Sequence, residues 1–500
     1  MSRVAIIGAG IAGLKAASTL HAKGFTQVKI FEARDRIGGR LYTVTGFDGI
    51  RKYDMGAGWH HDTLCNGLFD EEAKLQENDG SSAPFLFDDD FNIYIDKDYG
   101  RVDRHPEMRL EFIDREVEKF ADMQYHQSLD IPDTSFYELI IKYLFQKKNF
   151  LSDEQIRYAP QICRFLELWH GCDWKSLSAK DTYFGHQGRN AMVLNFDVLV
   201  QRIARNFPSN WIKLNTVVNS ITRRNNEVII TTTSGDTHVV DYVIVTIPQS
   251  VLELSLLDNK QLNGRIEFNP PLNEKIVKGL NSIHYGSLGK VVFEFQKATW
   301  SAESSKIVTL AQSSRKFVEI VRNSTDISTL VKDLSNLDNQ EEEDCWKHPF
   351  YIINFEKING TPSLMILTQE PVSKYIESLN NDYNKIFQYF EPILNKVMST
   401  FNSGSVVNGI DQDVSESGNH AILKNIICSN WSSDPYSRGS YTACKPGDDG
   451  WYMIVAMNEG QDSKIRFAGE HTVMDGAGCV YGAWESGHRE ATYIAEHTTL

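Results

Sequence analysis

The chain has 500 residues, with 51 Lys and Arg against 66 Asp and Glu, a formal net charge of −15, and 41% hydrophobic residues. This composition excludes a disordered chain, and without a basic excess it argues against a nucleic-acid binder. An acidic field is compatible with a cationic ligand, and the length suggests more than one domain.

No stretch approaches the roughly 18–20 apolar residues that span a bilayer, so no membrane segment is expected. Met1-Ser2-Arg3 and the short apolar run after it do not read as a secretory signal, and Glu496–Leu500 carries no peroxisomal address. The seven cysteines (65, 163, 172, 345, 428, 444 and 479) show no paired metal-like spacing. They read as reduced thiols, with no metal site, in a soluble cytoplasmic protein. The chain is separately expected to be a monomer or a weak homodimer.

The first element is a strand at Val4–Ile7, followed by Gly8-Ala9-Gly10-Ile11-Ala12-Gly13, an Ala-rich helix from Leu14 to Leu20, and a second strand at Val28–Phe31 ending in Glu32. This βαβ unit is the pattern that binds a dinucleotide. Gly8 permits the tight turn, Gly10 lets the backbone approach a pyrophosphate, and Gly13 allows close helix–strand packing. The helix N-terminus would face the diphosphate. Glu32 would accept from ribose hydroxyls, which disfavours a 2′-phosphate and hence NADP.

Residues 107–205 read as mostly helical, with helices at Glu111–Phe120 and Ser135–Phe145. Val228–Thr233, Asp241–Ile247 and Ile465–Phe467 read as strands that extend the first sheet. Residues 284–400 alternate strands at Lys290–Phe295, Phe350–Phe355 and Ser363–Thr368 with a helix from Asp382 to Met398. Ser324–Asp344, ending in Glu341-Glu342-Glu343-Asp344, reads as a solvated loop. The expected fold is α/β (α+β overall): a Rossmann-like nucleotide domain from 1–80, 190–283 and 425–500, and an inserted substrate domain of mixed sheet and helices from 81–189 and 284–424.

Glu32-Ala33-Arg34-Asp35-Arg36-Ile37-Gly38-Gly39-Arg40 places a second glycine pair and an arginine after the ribose-binding carboxylate. Val243–Pro248, Phe467-Ala468-Gly469-Glu470-His471 and Gly476–Ala483 follow far downstream. In this order the motifs resemble the FAD-dependent amine oxidase superfamily. Gly56-Ala57-Gly58-Trp59-His60-His61, Trp169-His170-Gly171, Phe184–Asn190 and Asp434–Tyr441 resemble, within it, the fungal polyamine and spermine oxidases.

The resemblance implies FAD held by Gly8, Gly10, Ala12, Gly13, Glu32, Ala33, Arg34, Gly39, Arg40, Gly56, Ala57, Val218, Glu470, Gly478, Cys479 and Val480. It implies that Lys290 holds a water beside flavin N5 and that His61 stands at the reacting amine. Asp89 and His186 would place distal amines, and Trp169 and Tyr441 would flank the approach to the flavin. The bland alternatives are a surface lysine at a strand end for Lys290, a capping or core histidine for His61, and a solvated turn for Asp88-Asp89-Asp90. Ser440 stands where monoamine oxidases carry the cysteine that bonds FAD, so the flavin is expected to be non-covalent. The implied reaction is oxidation of spermine or N1-acetylated polyamines by O2, giving H2O2, a shorter polyamine and an aminoaldehyde that could feed β-alanine and pantothenate synthesis. The competing readings are a monoamine or L-amino-acid oxidase, and a non-catalytic binding protein on the same fold.

Overall fold

The computed structural model describes residues 2–102, 110–125, 130–181, 188–338, 344–410 and 419–498. Its nucleotide-type unit is a five-stranded parallel sheet in the order Ile212–Lys213, Val28–Phe31, Val4–Ile7, Tyr242–Val245, Ile465–Phe467. The two central strands are buried at every position. Val4, Ile6, Tyr242 and Ile244 enter one core, and Ala5, Ile7, Val243 and Val245 enter another. A parallel sheet covered on both faces needs such continuous apolar runs.

Helix Ile11–Ala22 lies against the first face and packs on helix Val480–Glu496. Both contacts require glycine. A Cβ on Gly13 would stand 2.1 Å from the Gly8 carbonyl oxygen, and one on Gly487 would stand 2.1 Å from that of Ala12. The C-terminal helix is thereby seated directly behind the first turn of the N-terminal one.

Val228–Thr233 does not extend this sheet. Glu227–Thr232 lies in a separate four-stranded sheet, between Thr237–Val240 and Val218–Arg224, with Glu267–Asn269 at the far edge. Its alternating burial fits a sheet covered on one side, whereas the central strands of the parallel sheet are buried throughout.

The second large unit is an eight-stranded mixed sheet in the order Val406–Asn408, Ala421–Cys428, Gly289–Phe295, Ser363–Thr368, Phe350–Asn354, Lys306–Thr309, Asn92–Asp96, Gly100–Arg101. Gly289–Phe295 is buried at all seven positions because both faces are covered. Val291, Phe293 and Phe295 pack toward helix Tyr383–Thr400, and Val292 packs toward helices that include Phe136–Lys147 and Asp153–Cys163. Side chains alternate along a strand, so Lys290 shares the face of Val292.

Within Ser324–Asp344, whose run Glu341–Glu343 lies outside the described residues, the chain is not simply a loop. Ile327–Asp338 is a helix whose Leu330 and Leu334 are buried in the core, with Val331 packed beside them. Apolar residues at the spacing of one helical face outweigh the polar composition between them.

Candidate flavin and substrate site

A cavity of about 1370 Å³ lies beyond the carboxyl ends of the parallel strands, lined by Ile7, Phe31 and Thr246, and reaches the mixed sheet at Lys290, Tyr351 and Leu367. That is where an open α/β sheet presents a ligand crevice. Among the cofactor residues expected from sequence, Gly8, Gly10, Ala12, Glu32, Ala33, Arg34, Gly39, Arg40, Gly56, Ala57, Val218, Glu470, Gly478, Cys479 and Val480 all line it. Gly13 is not among the lining residues; it serves the helix–strand contact described above.

The nucleotide end is built around two buried carboxylates. Glu32 is 3% exposed and accepts from the backbone N–H groups of Ala9 (2.7 Å) and Arg34 (2.9 Å), which fixes it at the glycine turn. Helix Ile11–Ala22 has no side-chain cap and no acidic residue in its first turn, so its N-terminal dipole is available to an anion. Arg34 turns to Asp434, 2.9 Å away, and to the Ser437 hydroxyl at 2.8 Å. The second carboxylate, Glu470, accepts from Arg40 (3.0 Å), the Gly478 N–H (3.0 Å) and the Thr442 hydroxyl. Burial pushes its pKa up, but Arg40 and His471 outweigh that and hold it below the ordinary carboxylate value. Arg40 also donates to Tyr285 Oη (2.5 Å) and to the Ser440 carbonyl (2.6 Å).

At the other end Lys290 is 4% exposed. Its Nζ donates to the Asp54 carbonyl at 2.7 Å and lies 5.5 Å from the Trp59 ring. Burial pushes its pKa down to about 8, against the opposing pull of the Asp54 charge. His61 lines the same space, its Nδ1 3.0 Å from Asn190 Oδ1. With that nitrogen donating, Nε2 carries the lone pair of the neutral ring. Trp169 stands 5.6 Å from the His61 ring, and its carbonyl accepts from the Tyr441 hydroxyl. Lys290, His61, Trp169 and Tyr441 are therefore brought together.

Asp89 is placed elsewhere. It is exposed and paired with Arg189, and the carboxylate that lines the cavity is its neighbour Asp88. Asp88 accepts from Trp59 Nε1 at 3.1 Å and pairs with Lys306 at 2.9 Å, its side chain only 9% exposed. His186 lies outside the described residues. Asn190 and Asp434 stand in the sequence motifs without an assigned role, and Tyr285 and Asp54 are not singled out there, because each acts through a partner distant in the chain.

Behind Trp169, Arg164 and Glu167 form a buried ion pair at 2.7 Å, and Gln369 Nε2 donates to Glu167 at 2.9 Å. Among the described residues, Glu167, Asp173 and His348 bring possible ligand atoms within 4.8 Å of one another. Arg164 already supplies the positive charge there. None of the seven cysteines forms a disulfide. Among the described residues no helix is long and apolar enough to cross a membrane.

The family model described as flavin containing amine oxidoreductase matches residues 11–495. The chain belongs to that family. Its cofactor is FAD, and the cavity fits it: a glycine turn at an uncapped helix N-terminus, a ribose-side carboxylate at Glu32, and the buried Arg40–Glu470 pair beyond. This amine oxidoreductase is 32% identical, over 99% of its own length and 96% of the relative's, to a protein of Candida albicans named corticosteroid-binding protein. It is 25% identical to polyamine oxidase 4 of Oryza sativa subsp. japonica, over 97% of this chain and 86% of that one. It is also 25% identical to lysine-specific histone demethylase 2 of Homo sapiens, over 98% of this chain and 53% of that protein.

Proposed function

We propose that this amine oxidoreductase is a polyamine oxidase that acts on spermine and N1-acetylated polyamines, with O2 as acceptor. The observation that carries the reading is the cavity wall itself: Lys290, the His61–Asn190 pair, the aromatic pair Trp169 and Tyr441, and the buried carboxylate of Asp88 around one space. Similarity to polyamine oxidases of plants supports it.

When bound, FAD supplies a hydride acceptor for the carbon beside the reacting nitrogen. The protein does the rest. His61 accepts or shares the hydrogen of the reacting amine through Nε2, which favours the uncharged nitrogen needed for hydride loss. Trp169 and Tyr441 wall in the methylenes, each buried CH₂ contributing about 0.8 kcal/mol before ordering costs. Lys290 holds a water at the flavin end. Asp88, whose carboxylate is shared with Lys306, stands on the same wall to receive a second ammonium. Spermine would leave as spermidine and 3-aminopropanal, with H2O2, and the aldehyde could feed β-alanine synthesis. We place the enzyme in the cytoplasm, as a monomer or weak dimer, with a flavin that is released intact on denaturation because Ser440 offers no thiol.

The test is a peroxide-coupled assay on spermine, N1-acetylspermine, N1-acetylspermidine, tyramine and leucine, with products identified by mass. Turnover of the polyamines supports the reading; turnover of tyramine or leucine alone, or none on spermine and its acetylated forms, overturns it. The name of the Candida relative favours a second reading, in which the cavity takes a rigid apolar ligand such as a corticosteroid. Competition between a corticosteroid and spermine would support one shared site.

A further inference from the structure

We propose that Asp54 is a positioning residue for Lys290: its carbonyl oxygen fixes the ammonium at the cavity wall, and its buried carboxylate keeps that nitrogen charged. This rests on the place beside the flavin assigned to Lys290 above.

The two halves of Asp54 face different ways. Its carbonyl accepts from Lys290 Nζ at 2.7 Å. Its carboxylate, 5% exposed as a residue, accepts from the Phe196 N–H at 3.1 and 3.2 Å and from the Thr43 hydroxyl. Phe196 is the first residue of helix Phe196–Ala204, so the carboxylate sits at a helix N-terminus, where the dipole favours its charge. A lysine this deep loses its hydration and tends to shed its proton, and a fixed carboxylate is the remedy available. A Cβ on Gly58 would lie 3.0 Å from Lys290 Nζ, so glycine there keeps the nitrogen open to the cavity.

The ionisable groups on the surrounding elements are few. His61, Asp88 and Tyr351 line the same cavity; Asp88 is paired with Lys306, and burial pushes the Tyr351 phenol up and keeps it neutral. Cys428 lies on the neighbouring strand, its thiol pushed up to about 12 by burial and so neutral. Leu367 stands opposite Lys290 on the other neighbouring strand, and Asp197 lies beyond Asp54 on the helix. Burial pushes the Asp54 carboxyl up to about 6, which leaves it ionised through the interval in which Lys290 titrates near 8.

The charge matters most when O2 takes two electrons and two protons from the reduced cofactor and leaves as H2O2, because negative charge builds on oxygen before the protons arrive. The experiment reduces the flavin of the holoenzyme with stoichiometric dithionite and without any amine, mixes it with oxygenated buffer, and records the reoxidation rate against pH. The visible flavin band of the oxidised enzyme is titrated alongside. The wild type should show a step in both near pH 8. Asp54→Asn should move both steps to lower pH by about one unit, and Lys290→Met should remove them. Thr43→Val, which takes one donor from the carboxylate, should move the steps the same way by less and serves if Asp54→Asn does not fold. Steps unmoved in the folded Asp54 or Thr43 variant overturn the proposal. Steps that persist in Lys290→Met overturn it together with the assigned place of Lys290. Because no amine takes part, failure of the polyamine reading leaves this result intact.

Discussion

Arg40 Nη1 lies 3.0 Å from Glu470 Oε1, joining side chains 430 positions apart across the floor of the cavity. Arg40 arrives with the glycine segment after the second strand, and Glu470 with the turn after the last parallel strand. Neither fills an apolar core. Their pairing ties the two ends of the chain into one cofactor bed, with Tyr285, Ser440 and Gly478 as further partners.

Removing one member should therefore cost more than a surface ion pair. Arg40→Ala leaves a buried carboxylate with only two donors, and a broken buried pair costs about 3–5 kcal/mol. The apoprotein should melt lower, and FAD affinity should fall, as read by flavin fluorescence on dilution. Acidification should mimic the variant. Glu470 is held below the ordinary carboxylate value, so its stabilisation is present above the unfolded pKa and is lost as pH falls through the folded one. The wild type should lose stability on acidification more steeply than Glu470→Gln.

The placement of Asp88 and Asp89 separates two readings of one acidic turn. Asp89→Asn removes an exposed pair worth about 0–1 kcal/mol and should leave KM for spermine within about twofold. Asp88→Asn removes the one carboxylate of that turn that lines the cavity and should raise KM for spermine by about tenfold, with a smaller effect on a monoamine. Steady-state kinetics on both variants decide it, and equal KM values for the two would contradict the structural assignment.

This pair also shows what could be read before the fold. The glycine turn and Glu32 were legible because a βαβ unit brings such groups together within a short stretch of chain, and Arg40 because the segment from Glu32 to Arg40 resembles a family motif. The choice between Asp88 and Asp89 depends on which way the chain leaves the strand Phe85–Phe87, and composition carries no trace of that. Asn190 and Asp434 became visible only once distant segments met His61 and Arg34. Val228–Thr233 showed a strand pattern, but a pattern does not name its neighbours. Ser324–Asp344 was misread because charge was weighed above the helical spacing of Leu330, Val331 and Leu334.

The buried Arg164–Glu167 pair offers a different kind of test, since its role is to hold the turn that carries Trp169. Glu167 is fully buried and accepts from Arg164, Gln369 and the Trp174 N–H. Glu167→Leu should destabilise by about 3–5 kcal/mol because Arg164 is left buried and unpaired. Arg164→Met combined with Glu167→Leu should recover most of that loss, and denaturant melts of the single and double variants give the coupling. If recovery of stability restores KM for the amine as well, packing alone positions Trp169; if KM stays raised, the hydrogen bond to Gln369 sets the aromatic wall.

Lys290 makes a prediction about stability rather than turnover. Its pKa is near 8 in the folded protein and 10.5 in an ordinary environment. Between those values the unfolded chain binds more protons than the native one, so this group makes stability rise with pH across the window. Below about pH 8 the buried ammonium is charged in both states and its full cost is felt. Lys290→Met has no such group. The difference in unfolding free energy between Lys290→Met and the wild type should therefore be largest below about pH 8 and shrink as pH approaches 10.5. Urea melts at fixed pH intervals measure it directly, and a difference that stays constant across the window would mean that Lys290 does not lose its proton on the alkaline side.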